Sequence, residues 1–102
     1  MRNDITGDTM DKKKLRKIEK AIEALRKGIN NIKYKDLERL AKSLGRKLVN
    51  RGKEATYESE LLPKSRPLTI PKHKAIKPFT AGNILDSLEQ DVFELYELLK
   101  GK

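Results

Sequence analysis

The chain has one histidine, His73, set between Lys72 and Lys74 directly after the run Leu68-Thr69-Ile70-Pro71. An imidazole ordinarily titrates at about 6.5, so it can take or give a proton near neutrality. Cleaving RNA requires a base for the 2′-hydroxyl proton and an acid for the leaving oxygen. A histidine flanked by two ammonium groups is well placed against a phosphate. No second acid–base partner is evident beside it, so phosphate contact is a better reading of His73 than catalysis. The plainer alternative is a surface loop residue bonded to local backbone.

Six cations surround this histidine in sequence and in the expected hairpin: Lys47, Arg51, Lys53, Arg66, Lys74 and Lys77, with Lys72 as a seventh. Such side chains hold a nucleic-acid backbone by charge, without reading bases. Five per cent aromatic content is too little for stacking along a single strand, so a duplex or structured RNA fits better. The alternative is a solvated basic edge. Other chemistries are poorly represented. There are no cysteines, no carboxylates clustered at ligand spacing and no glycine-rich phosphate loop. A metal site and a bound cofactor are therefore not expected.

Three short runs must position these residues. Lys47–Asn50 and Lys53–Ser59 flank a tight Arg51-Gly52-Lys53 turn and predict a hairpin. Alternation puts Ala55 and Tyr57 on one face, with Glu54, Thr56 and Glu58 on the other. Leu68-Thr69-Ile70, bounded by Pro67 and Pro71, predicts a third, short strand. Helical patterns lie on both sides. Asp11 is expected to cap a helix over 12–27, whose Leu15, Ile18, Ile22 and Leu25 recur at alternating three and four. Gly28 should end it, and residues 1–10 are read as disordered. A second helix is expected over 34–44, with Leu37, Leu40, Ala41 and Leu44 on one face. For the last helix, Pro78 is read as a block and Thr80 as the cap, giving 81–100 with an apolar stripe through Ile84, Leu88, Val92, Leu95 and Leu99. Asp86, Glu89, Asp91, Glu94 and Glu97 are assigned to its other faces.

The chain's 102 residues suit one domain with a lean aliphatic core, because 36% are apolar and 38% charged. A net charge of +9 points to a polyanionic partner. The charge is unevenly spread: residues 1–79 carry 22 Lys and Arg against 10 Asp and Glu, whereas residues 80–102 carry 2 against 5. An evenly solvating coat would not divide in this way. No apolar run reaches the roughly 20 residues needed to span a bilayer, and no signal peptide is recognisable, so a cytoplasmic protein without membrane contact is expected. The stripes within 12–27 and 84–99 also raise the possibility of a homodimer.

The order helix, hairpin, short Pro-bounded strand ending in Lys-His, and helix resembles the HicA (YcfA-like) family of toxins. The matching residues are Tyr34-Lys35-Asp36-Leu37, Leu44-Gly45, Leu48-Val49 with Gly52, Pro67-Leu68-Thr69-Ile70-Pro71-Lys72-His73, and Ile84-Leu85 with Leu88. They span about residues 32–92; a HicA-like domain would then occupy 32–100, preceded by an extra helix at 11–28. The resemblance implies an α+β fold like a double-stranded-RNA-binding domain: a helix, a three-stranded antiparallel sheet and a helix. It also implies mRNA interferase activity and neutralisation by a HicB-like antitoxin covering the active face. One departure bears on activity. Where the family keeps a small residue and a catalytic histidine after the turn glycine, this chain has Lys53, Glu54 and Ala55. Glu54 stands near that slot, and its carboxylate is a candidate base beside His73. The readings left open are RNA binding without cleavage, cleavage by another arrangement involving Glu54 or His73, and a protein-interaction module that kept the fold.

Overall fold

A computed structural model describes residues 11–50, 52, 54–62 and 64–100. The order of elements is α1 (Lys12–Lys27), a 3-10 turn (Ile29–Asn31), α2 (Tyr34–Ser43), β1 (Arg46–Asn50), β2 (Glu54–Ser59), β3 (Leu68–Pro71) and α3 (Pro78–Lys100). The expected disorder of residues 1–10 lies outside the described residues.

The Asp11 side chain accepts a hydrogen bond from the backbone N–H of Lys14 at 2.9 Å, capping α1 as its sequence predicts. The α1 stripe of Leu15, Ile18 and Ile22 is buried against α3. The α1 and α3 stripes, which also raise the possibility of a homodimer, are packed on each other within one chain. At the far end of α2, Gly45 adopts φ +87°, a conformation that favours glycine, and turns the chain into β1.

The sheet is antiparallel in the order β1-β2-β3. Leu48 pairs with Tyr57 and Lys47 with Glu58, and a bulge separates Leu48 from Asn50. Ala55 pairs with Ile70 and Tyr57 with Leu68. These inward residues pack against α2 and α3, while Glu54, Glu58 and Thr69 are exposed on the uncovered face. Alternation in β2 therefore falls as expected.

Two features of α3 differ from expectation. The helix begins at Pro78 and includes Thr80, so Pro78 initiates it and Thr80 is not its cap. Proline is tolerated in a first turn because its missing N–H would have no intrahelical acceptor there. The first helical bond runs from Ala81 N–H to the Lys77 carbonyl, 2.8 Å. Asp91, assigned by charge to an outer face, is instead buried. Its carboxylate takes a bidentate pair from Arg46, with Nε to Oδ2 at 2.6 Å and Nη2 to Oδ1 at 2.9 Å. The remaining Arg46 N–H groups reach the Tyr57 carbonyl, the Arg66 carbonyl and Ser65 Oγ. All five donors are satisfied, which is what a buried guanidinium requires. Arg46 thereby joins β1, β2, the β2–β3 loop and α3.

Candidate nucleic-acid interface

Antiparallel pairing fixes which charged residues share an end of the sheet. Glu54 pairs with Pro71, so the β1–β2 turn and the start of the His73 loop lie at one end. Arg46 pairs with Ser59, so the β2–β3 loop lies at the other. Because α2 runs into β1 through Gly45, its N-terminus reaches the turn end. The His73 loop is tied to the segment before α2 by Ile76 N–H donating to the Ile32 carbonyl at 3.0 Å, with both side chains buried.

The result is a shallow concavity of about 340 Å³ lined by Lys33, Tyr34, Lys35, Lys72, His73 and Lys74. Among the described residues, no carboxylate lies within 4.0 Å of the ammonium group of Lys33, Lys35 or Lys74, although Asp36 Oδ2 accepts from the Lys33 backbone N–H at 3.0 Å. Crowded ammonium groups repel one another, and a bound polyanion relieves that repulsion. Tyr34 is held from beneath. Its hydroxyl lies 3.2 Å from Glu38 Oε2 and touches the hydroxyl of buried Tyr57, which donates to the same oxygen at 2.7 Å. The Tyr57 hydrogen bond draws the Glu38 carboxyl below its usual range, outweighing the opposing effect of burial. Burial, followed by the contacts with Tyr34 and Glu38, pushes the Tyr57 phenol far up, so it stays a donor at any working pH. Burial also raises Tyr34.

The chain matches no protein-family model, no curated protein and no solved structure.

Of the residues singled out from sequence, Lys72, His73 and Lys74 come together here. Lys77 is exposed in the same loop, just ahead of α3, and does not line the concavity. Two others are elsewhere. Lys47 pairs with Glu58 and lies 4.0 Å from the Glu60 carboxylate. Arg66 is in the β2–β3 loop and lines a second concavity, of about 460 Å³, with Lys64, Asp86, Gln90 and Glu94 around the Arg46–Asp91 pair. Those walls carry both signs of charge and lack the one-sided character of the His73 site. Arg51 and Lys53 lie outside the described residues. Glu54 is exposed at the turn end, opposite Pro71, and His73 follows two residues later.

Lys33 and Lys35 are not among the cations that the sequence singles out. Their lining of the His73 concavity depends on the Ile32–Ile76 contact, which joins residues 44 apart in sequence. The available signal was local: a Lys-Tyr-Lys triplet at a helix start, where cations oppose the helix dipole.

Proposed function

We propose that this chain is a cytoplasmic RNA-binding protein of the HicA type, which grips the phosphate backbone of a duplex or structured RNA. The observation that carries this reading is the convergence of Lys33, Lys35, Lys72 and Lys74 with His73 on one concave surface. The order α2-β1-β2-β3-α3, with helices on one sheet face, supports a fold of the double-stranded-RNA-binding type carrying α1 as an extra element. RNA cleavage is not carried over, because Glu54 stands where the family's histidine is expected. A carboxylate there also repels an approaching phosphate.

The test is fluorescence anisotropy of labelled duplex RNA over a salt series, with a parallel incubation of structured RNA at several pH values. Affinity that falls steeply with salt supports the reading. Affinity that is absent or flat with salt removes it. Cleavage abolished by both E54Q and H73Q would replace binding alone with catalysis.

A second reading rests on the uncovered sheet face, where Val49 is half exposed beside Thr56 and Thr69. Such a face suits a protein partner, either a HicB-like antitoxin or a second copy. Light scattering of the purified chain, alone and mixed with the product of the adjacent reading frame, separates these from a free monomer.

A further inference from the structure

Helix α1 buries Leu15, Ile18 and Ile22 against the body and turns Lys13, Lys17, Lys20 and Lys27 outward, all four exposed. At 1.5 Å per residue this ridge is about 21 Å long. Among the described residues its ammonium groups close no ion pair: none of the four has a carboxylate within 4.0 Å. Glu19, on the flank, accepts from the Tyr96 hydroxyl at 2.9 Å.

The arrangement also opposes helix formation. Lys13 and Lys17 are like charges at i,i+4, and Lys17 and Lys20 at i,i+3, spacings at which repulsion weakens a helix. The first turn of α1 has no acidic residue and begins Lys12-Lys13-Lys14, against the positive end of the dipole. Glu23, three residues after Lys20 and four before Lys27, is exposed on the flank of the ridge, but among the described residues it closes no ion pair with either lysine, so four ammonium groups face one flanking carboxylate. A face that meets a polyanion would be arranged as this one is.

We propose that the outer ridge of α1 is a second phosphate-binding surface that lengthens the RNA footprint beyond the His73 concavity. This rests on the RNA-binding reading above. The chain links the two surfaces closely: five residues separate Lys27 from Lys33, so their Cα atoms are at most about 22 Å apart. A membrane surface is a poorer occupant, because an amphipathic helix binds a bilayer through its apolar face. In α1 that face is spent on α3.

The test compares wild type with K13Q/K17Q/K20Q/K27Q by anisotropy on a long duplex RNA over a salt series, with circular dichroism confirming the fold. Each phosphate contact contributes about 0.7–0.9 to the slope of log affinity against log salt. The ridge variant should therefore lose roughly 3 from the wild-type slope and keep the remainder. A ridge variant with the wild-type slope and affinity overturns the proposal while leaving the His73 site standing. A wild type that binds no RNA overturns both. Binding to phosphatidylserine vesicles that the ridge variant loses, with its RNA affinity unchanged, overturns the proposal in favour of a lipid surface.

Discussion

Replacing Asp91 by alanine should be the most damaging single change to a charged side chain in this fold. The side chains of Arg46 and Asp91 are 1% and 2% exposed. With the carboxylate gone, the guanidinium keeps the Tyr57 and Arg66 carbonyls and Ser65 Oγ but loses both partners supplied by Asp91. A full charge then stays buried without a counterion, which costs about 3–5 kcal/mol. At roughly 4–8 °C per kcal/mol for a domain of this size, the melting temperature falls by about 12–40 °C. Total stability of such a domain is on the order of 5–15 kcal/mol, so D91A sits near the edge of folding. Urea unfolding followed by far-UV circular dichroism measures the loss. The control is R46M/D91L, which removes both charges together. It should cost less than D91A, with a residue of about 1–3 kcal/mol from the carbonyls left without their donor. A loss below about 1 kcal/mol for D91A would refute the reasoning, since that is the range of an exposed ion pair.

Two further outcomes follow from local geometry. A Cβ at Gly45 would lie 2.6 Å from Leu61 Cδ1 and 2.8 Å from Cγ, at φ +87°. G45A should cost about 1–2 kcal/mol for the left-handed backbone alone, and L61A should relieve only the steric part in a double-mutant cycle; full relief by L61A would contradict this division. Glu38 has a depressed carboxyl pKa, so its contribution is present above the unfolded value, about 4.3, and lost as pH falls through the folded value. Y57F removes the main cause and should move the Glu38 carbon-13 titration upward and flatten the loss of stability below that pH. An unchanged Glu38 midpoint would assign its shift to other groups.

Periodicity made most of the scaffold legible. The α1 stripe, its Asp11 cap and the inward alternation of Ala55 and Tyr57 are local patterns, and local patterns survive folding when one face is buried. The Arg46–Asp91 clip is not anticipated because charge alone places Asp91 on an outer face. Their positions carried a signal. Asp91 lies three residues after Leu88 and four before Leu95, inside the α3 stripe, and Arg46 shares strand parity with Leu48. Opposite charges at two inward positions suggest a buried pair. The start of α3 was misplaced because Pro78 was read only as a helix breaker, although proline suits a first turn. The candidate site was half legible. Lys72-His73-Lys74 are contiguous, but Lys33 and Lys35 join them only through a contact between distant segments, and Lys47 and Arg66 are separated from them by strand register.

Duplex-RNA anisotropy of wild type and K33Q/K35Q/K72Q/K74Q across 50–200 mM salt tests the central claim most directly. Four phosphate contacts give a slope near −3.6, or about a 150-fold loss of affinity across that fourfold range. The account predicts that the wild type shows at least this dependence and that the variant, folded by circular dichroism, loses about 3.6 from the slope. A folded variant that binds RNA with the wild-type slope and affinity would contradict it.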